Sequence, residues 1–222
     1  MKTAEQPFQF VTASYLERVE NQKAHSIGEL AQGLEQASDA AIFFHTFQSL
    51  SRHHFLTEGF SNDFAQWALA ALNQHELAER LASIDVRDYI SLAELRGDLH
   101  RIVVEFAEAH PGAAQRIAFE PFHFTQAVTV TLPLPWDART LAGFRAGLER
   151  LSHASFHHHF IASRLRLQLQ TDDFSHWFET ALGLPDLARR TNRIDIYTNT
   201  LDTARRELIQ LVDTEMTYDH RQ

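Results

Sequence analysis

Hydrophobic and polar positions alternate at two places in the chain, and each place opens a longer stretch with helical spacing. The first carries Phe8 and Phe10. The second carries Phe122, Phe124, Val128, Val130 and Leu132. Alternation with a period of two predicts a strand, and apolar positions alternate only briefly here. We therefore expect a short extended or strand segment at each place.

Apolar residues three and four positions apart follow each segment, which is typical of amphipathic helices. In the first half the predicted helices are Ser26–Gln36, Asp39–His54, a helix that begins at Asp63, Glu76–Ala82 and Ser91–Ala109. In the second half they are Thr140–Leu151, His153–Leu169, a helix that begins at Asp173, Asp186–Thr191 and Asn199–Met216. Their expected N-caps are Ser26, Thr140, Asp63 and Asp173, because short polar side chains accept the free amides of a first turn. The predicted fold class is mainly α.

The two halves also share residues in the same order, which indicates an internal repeat. Pro7-Phe8-Gln9-Phe10 is matched by Pro121-Phe122-His123-Phe124, and the same offset relates His45 to His159 and Ser49 to Ser163. After a loop shortened by four residues, Asp63 and Trp67 match Asp173 and Trp177. We interpret the chain as two pseudo-symmetric helical repeats, at 7–110 and 121–217, with a junction at 111–120. We expect both to pack as one globular unit.

Composition removes several classes of function. The chain of 222 residues has no cysteine, which excludes disulfides, thiolate metal sites and a cysteine nucleophile. A net charge of −9 without a long basic run argues against a nucleic-acid partner. No apolar run approaches the roughly 20 residues of a membrane span, and the first residues lack the apolar core of a signal peptide. We therefore expect a cytoplasmic protein without a membrane partner.

Four histidines cluster in the second half, where His153 precedes the run His157, His158 and His159. Successive side chains on a helix point about 100° apart, so three in a row cannot converge on one ion. His153 and His157 can converge, but two imidazoles leave zinc without its third and fourth ligands. The first repeat has phenylalanine opposite both His157 and His158. We therefore predict a packing role for the run, with no metal and no cofactor.

His45 and His159 are more informative because both repeats keep a histidine between apolar neighbours. Two interpretations stay open. Each ring is a buried histidine satisfied by a carboxylate or a carbonyl, or it lies in a pocket with an aspartate as partner and a tryptophan as an apolar wall. The candidate residues for binding a ligand or partner are His45, Ser49, Asp63, Trp67, His159, Ser163, Asp173 and Trp177.

A second repeated set is charged. Arg80, Asp85 and Arg96 recur as Arg190, Asp195 and Arg205. We expect them to form structural ion pairs that connect the short helix of each repeat to its final helix.

The run "FFHTFQSL", the step Asn62-Asp63-Phe64 followed by Trp67, and the run "LAERLASID" resemble a bacterial family catalogued as domain of unknown function 5752. The resemblance extends from about Pro7 to Val212, and the second repeat departs from it with Asp172 in place of Asn62. It supports the helical architecture and implies no activity.

No glycine-rich phosphate loop, nucleophile elbow or dinucleotide fingerprint occurs in the sequence. The leading hypothesis is a non-catalytic module that binds a protein partner or a small-molecule ligand at the seam of the two repeats. One alternative is a metal-assisted or acid/base enzyme that uses His45 or His159 with Asp63 or Asp173. Another is an oligomer-forming scaffold, such as a homodimer, that pairs through exposed phenylalanines.

Overall fold

The computed structural model describes residues 2–48, 60, 62–167, 170–195 and 200–219. Most of these residues are helical, as the spacing predicts. Ser49, a predicted site residue, lies outside the described residues, and so does the end of the helix predicted up to His54.

Two long strands replace the short segments expected from the alternation. Strand β1 is Phe8–Ala24 and strand β2 is Phe122–Ala138, each of 17 residues, and they pair in a two-stranded sheet. Gln9 bonds to the carbonyl of Leu134, whereas Gln126 bonds to Glu20, so the strands run antiparallel. The expectation of a short segment per repeat was wrong.

The reason lies in the burial pattern of the strands. Both are buried near their ends and largely exposed in between. The centre of β1 carries no alternating apolar signal, and the alternating Val128, Val130 and Leu132 of β2 are exposed, so apolar burial does not mark the full length of either strand. Backbone pairing maintains the strand there, helped by β-branched residues such as Thr129 and Val130. Pro133 and Pro135 fit into β2 because each strand of a two-stranded sheet has an outer edge, where no amide is needed.

The chain forms two compact units. One contains the residues up to Tyr15 together with those from Thr129 onward, and the other contains Leu16–Val128. We call them the outer-sequence unit and the inner-sequence unit, after their places in the chain. Each strand contributes one part to each unit.

The inner-sequence unit contains helices α1 to α6. They are α1 Ile27–Gln36, α2 Asp39–Phe43, α3 Asp63–Ala70, α4 His75–Ala82, α5 Leu92–Ala109 and α6 Pro111–Ala114. A π-helical turn, Phe44–Gln48, continues α2, and Val86–Asp88 form a 3₁₀ turn. Ser26 caps α1 by accepting the amide of Glu29, so that N-cap prediction is confirmed.

The outer-sequence unit contains helices α7 to α12. They are α7 Leu141–Arg150, α8 His153–His157, α9 Ser163–Arg166, α10 Asp173–Thr180, α11 Pro185–Asn192 and α12 Leu201–Asp219. A π-helical turn, His158–Ala162, lies between α8 and α9. Thr140 caps α7 by accepting the amide of Gly143, which confirms a second predicted N-cap. None of the helices in the described ranges has the length and apolar composition that a membrane span requires.

In each unit, a strand that opens one predicted repeat packs on the helices of the other. Phe122 and Phe124 are buried in the inner-sequence unit, and Phe8 and Phe10 are buried in the outer-sequence unit. The ring of Phe124 lies directly on Gly33, and the ring of Phe10 lies on Gly147. A Cβ atom at either glycine would overlap the ring, which explains why α1 and α7 carry glycine there.

Charged pairs connect the helices of each unit. Arg80 in α4 pairs with Glu105 in α5, so an ion pair connects the short helix to the final one. Arg96 in α5 pairs with Asp39 at the start of α2. In the outer-sequence unit, Arg205 donates to the carbonyl of Leu151, a backbone partner that the charge pattern did not predict.

Candidate functional site

His45 uses both ring nitrogens within the inner-sequence unit. Its Nδ1 lies 2.8 Å from Oδ2 of Asp63, and its Nε2 accepts the backbone N–H of Thr125 at 2.9 Å. A nitrogen that accepts an N–H carries no proton, so Nδ1 holds the ring hydrogen and donates it to the carboxylate. The ring is therefore neutral in this arrangement, and it bridges the start of α3 to strand β2.

Asp63 is available to His45 because another residue caps α3. Asn62 accepts the amide of Ala65 and donates its own side-chain amide to the carbonyl of Leu81. In the outer-sequence unit Asp172 does the same for α10, accepting the amides of Phe174 and Ser175. The predicted N-caps Asp63 and Asp173 were therefore wrong by one residue. Each is the first helical residue instead, and its side chain is directed at a histidine.

His159 repeats this geometry in the outer-sequence unit. Its Nδ1 lies 2.9 Å from Oδ2 of Asp173, and its Nε2 accepts the backbone N–H of Val11 at 3.0 Å. Ser163 lies beside it, donating to the carbonyl of His159 and accepting the amide of Asp173. The predicted set His159, Ser163 and Asp173 is thus brought together. Strand β1 supplies the fourth member, the backbone N–H of Val11, which was not among the predicted site residues.

Each histidine lies in a π-helical turn, which explains its orientation. A π turn holds one residue more than an α turn and is often found where a side chain must be directed differently from its neighbours. Hydroxyl groups bond to backbone carbonyls beside both turns, Thr46 to Ile42 and Ser163 to His159. Such bonds compete with the regular helical pattern.

Tryptophans hold the residues that lead into the same strands. The indole N–H of Trp67 donates to the carbonyl of Glu120 at 2.8 Å, and that of Trp177 donates to the carbonyl of Gln6 at 3.0 Å. Phe122 packs against Trp67 and against His45, with a ring-centroid distance of 4.6 Å to the histidine. Both predicted tryptophans therefore lie near the repeated histidines, in what we call the histidine clusters: His45, Asp63 and Trp67 in one unit, and His159, Asp173 and Trp177 in the other. The indole N–H of each tryptophan bonds to a backbone carbonyl.

A cavity of about 330 Å³ opens beside His45 in the inner-sequence unit. We call it the Trp67 pocket. Its helical wall consists of His45, Asp63, Gln66, Trp67, Ala70 and Ala71, and its other wall is residues 119–123. Four predicted features, a histidine, an aspartate, a tryptophan and a pocket, thus coincide. Phe119, which the sequence analysis did not single out, is 96% exposed at this site.

The outer-sequence unit has a cavity of about 450 Å³ at related positions, but with a different lining. Its walls are Thr3, Glu5, Gln6, Thr180 and Ala181. By the offsets of the sequence repeat, Glu5 replaces Phe119, Gln6 replaces Glu120 and Thr180 replaces Ala70. The two histidine clusters are therefore alike, whereas the cavities next to them differ in chemistry.

A buried ion pair distinguishes the outer-sequence unit. Arg164 donates to Asp172 at 3.4 Å and to Asn192 at 3.1 Å. Burial raises the pKa of the Asp172 carboxyl, against the opposing effect of Arg164. Burial likewise lowers the pKa of the Arg164 guanidinium, against the effect of Asp172. This pair accounts for the departure from Asn62, since the aspartate here faces a buried cation.

The histidine run has separate roles for its members. His157 is buried, with Nδ1 3.3 Å from the hydroxyl of Tyr15, and its Nε2 has no hydrogen-bond partner among the residues that the structure describes. Burial lowers its pKa to about 4, with a smaller contribution from His158. His153 is exposed and pairs with Asp202. Among the described residues, no three histidine or acidic side chains are placed to hold a metal ion.

The hydrogen bonds of His45 restrict proton transfer by its ring. A general base needs a lone pair directed at the substrate, and the Nε2 lone pair of His45 is used by Thr125. To take a proton, the ring would have to break its bond to strand β2. The pocket, in contrast, is open beside the pair.

Comparisons with known proteins give a family and a related structure. A model described as "Family of unknown function (DUF5752)" matches residues 5–213. None of the curated proteins matches the chain. The solved structure described as "The structure of OrfY from Thermoproteus tenax" is similar, with 28% identity, a TM-score of 0.83 and coverage of 96% of both chains. That organism is an archaeon, so the bacterial origin expected from the sequence is not established.

Proposed function

Since the chain belongs to DUF5752, a family of unknown function, we propose its function from the site itself: a non-catalytic module that binds a partner or ligand in the Trp67 pocket. The observation that carries the proposal is the open cavity of about 330 Å³ beside a histidine whose two ring nitrogens are engaged within the protein. Binding sites for small groups have volumes from about 300 Å³ upward and are mainly apolar with a few fixed polar groups.

The exposed residues around the pocket favour a protein partner that inserts one apolar side chain. Ile117 and Phe119 are 68% and 96% exposed, close together in the chain. Adjacent exposed apolar residues are typical of interfaces. A cavity of this size matches one anchoring side chain, which commonly supplies much of the energy of an interface.

We further propose that the chain is a tandem internal duplication. Matching hydrogen bonds at His45 and His159 and at Trp67 and Trp177 support it, and so do matching ring contacts at Gly33 and Gly147. The cavities next to these clusters have diverged, which limits the proposed binding role to the inner-sequence unit. A cytoplasmic location remains part of this proposal.

Titration with benzyl alcohol, followed through the three indole N–H signals in a proton–nitrogen spectrum, tests the binding role. We expect the Trp67 signal to shift and the Trp177 signal to stay in place. Ala70→Trp should abolish the shift, because the exposed Ala70 lines the cavity and a large ring fills it. Thr180→Trp, at the matching helical position of the outer-sequence unit, is the control. Equal shifts of both tryptophans, or none, would contradict the proposal.

A further inference from the structure

The chemistry of the Trp67 pocket indicates more than an apolar ligand. Three aromatic rings line it: Trp67, Phe119 and Phe122. Two carboxylate residues, Asp63 and Glu120, lie in the same walls. Among the wall residues that the structure describes there is neither lysine nor arginine. Aromatic faces and carboxylates share one electrostatic property, since both attract positive charge.

The hydrogen bonds of His45 keep this charge in place. Because Nε2 accepts the amide of Thr125, the ring is neutral and donates to Asp63 from Nδ1. In this arrangement the imidazole therefore adds no positive charge beside the Asp63 carboxylate. Glu120 is exposed, and its backbone carbonyl holds the indole N–H of Trp67. That bond fixes the indole edge toward the backbone, which orients the ring within the wall.

We propose that the Trp67 pocket recognises an organic cation, an alkylammonium or guanidinium group on an apolar stem. This inference rests on the proposed binding function and names its ligand class. The stem lies against the rings, and the charge is shared by the aromatic faces and the two carboxylates. Such a cation is either a free small molecule or a lysine or arginine side chain of a partner protein. The net charge of −9 draws either one toward the chain.

The outer-sequence unit supplies an internal comparison. Its cavity has Glu5 at the position of Phe119 and Gln6 at the position of Glu120. A carboxylate thus takes the place of the exposed ring, and an amide takes the place of the second carboxylate. Among the described lining residues, aromatic rings and two carboxylates therefore occur together at the Trp67 pocket and not at the second cavity. We expect cation binding at the Trp67 pocket and none at the cavity beside Gln6.

Isosteric probes that differ only in charge test the inference on the whole chain. Choline and 3,3-dimethylbutan-1-ol have the same shape, and so do Nα-acetylarginine amide and Nα-acetylcitrulline amide. Following the Trp67 indole signal, we expect the cation of at least one pair to bind about tenfold more tightly than its neutral isostere. A larger ratio for choline indicates a free cation as ligand, and a larger ratio for the arginine amide indicates a partner side chain.

Two substitutions separate the contribution of the Phe119 ring to cation binding from that of the Glu120 charge. Phe119→Leu keeps an apolar side chain and removes the ring, and Glu120→Gln keeps the shape and removes the charge. Each should reduce the ratio between cation and isostere several-fold, and added salt should reduce it further. Glu5→Gln, in the outer-sequence unit, is the matched control and should leave the ratio unchanged.

The outcomes distinguish this inference from the function on which it rests. If the cations bind no better than their isosteres while benzyl alcohol still shifts the Trp67 signal, the cation inference is wrong and the binding pocket stands. If neither benzyl alcohol nor any cation shifts that signal, both are wrong. A ratio that survives both Phe119→Leu and Glu120→Gln would also overturn the inference.

Discussion

Two histidines in this chain act as connectors between a helix and a strand. His45 and His159 each donate to the first residue of a helix and accept an amide from a strand distant in sequence. This role needs one hydrogen-bond donor and one acceptor on the same side chain. Neutral imidazole provides both on one rigid ring. The repetition of histidine at these positions follows from that requirement.

His157 makes the stability of the fold depend on pH. Its pKa of about 4 in the folded chain is below the value of about 6.5 for an exposed histidine, so the unfolded chain binds more protons between these values. The stabilisation is complete above about pH 6.5 and is lost as the pH falls toward 4. At pH 5 the loss amounts to about 2 kcal/mol.

His157→Phe should therefore remove this part of the pH dependence, because Phe43 occupies the matching position of the first repeat. Urea unfolding at pH 7 and pH 5 measures it. We expect the loss of stability between these pH values to be about 2 kcal/mol smaller in the variant. His153→Phe, at an exposed histidine, is the control, and an equal effect of both substitutions would refute this role of His157.

The buried pair of Arg164 and Asp172 gives a second prediction. Asp172→Asn alone should destabilise the chain by about 3–5 kcal/mol, because it leaves a buried guanidinium without its counter-charge. The double variant Arg164→Leu with Asp172→Asn copies the first repeat, which has Leu50 and Asn62. It should recover most of that loss in chemical denaturation. Additive losses in the double variant would show that the pair is not coupled.

At the scale of elements, the sequence predicted the helices and the places where the strands begin, but not the length of the strands. Helices α1 and α5 begin at or next to the expected residues because Ser26 and Ser91 provide both a cap and the start of an apolar spacing. Strands β1 and β2 extend far beyond their buried ends because backbone pairing, which has no side-chain signature, maintains their exposed centres.

The candidate site also contains a part that the sequence predicted and a part that it did not. His45, Asp63 and Trp67 could be singled out because a repeat marks them, whereas Thr125 and Glu120 contribute only backbone groups to the cluster. Backbone donors and acceptors are present at every residue, so no sequence pattern indicates which of them are used. Phe119 has no aromatic counterpart in the other repeat, and the comparison of repeats could not reveal it.

The contact of a strand ring with a helix glycine gives a prediction at this scale. Gly33→Ala and Gly147→Ala should each cost about 1–3 kcal/mol, since the added methyl group displaces the ring of Phe124 or Phe10. Gly97→Ala in α5, where an added Cβ meets nothing within 4 Å, is the control and should stabilise the chain by up to about 1 kcal/mol. Thermal unfolding of the three variants measures these changes in stability. Stabilisation by all three substitutions would contradict the close packing of the rings on Gly33 and Gly147.

At the scale of the whole molecule, the division into compact units does not follow the order of the chain. Phe10 belongs to the unit that is otherwise built from residues after Thr129, and Phe124 belongs to the unit that contains α1 to α6. Removal of a buried ring from one strand should therefore lower the hydrogen-exchange protection of helices that are far away in sequence. The helices nearest to that strand in sequence should stay protected.

Hydrogen exchange of Phe10→Ala and Phe124→Ala measures this effect. In Phe10→Ala we expect faster exchange in α7, α10 and α12 and little change in α1 and α5, because the ring packs on Gly147. Phe124→Ala should give the opposite pattern, so the two variants serve as controls for each other. If hydrogen exchange became faster in the helices next to each substituted residue in sequence, the packing of each strand on distant helices would be refuted.

The placement of Phe124 on Gly33 also affects how the chain is completed on the ribosome. Helices α1 to α5 leave the exit tunnel before the ring that fills their core, so they remain without it until the start of the second repeat has been synthesised. The segment around Phe10 waits longer, since the glycine on which its ring packs is residue 147 and the helices of that unit extend to Asp219. Vectorial synthesis thus leaves apolar surface of α1 to α5 uncovered until Phe124 has left the tunnel, and a factor that shields nascent chains would bind there.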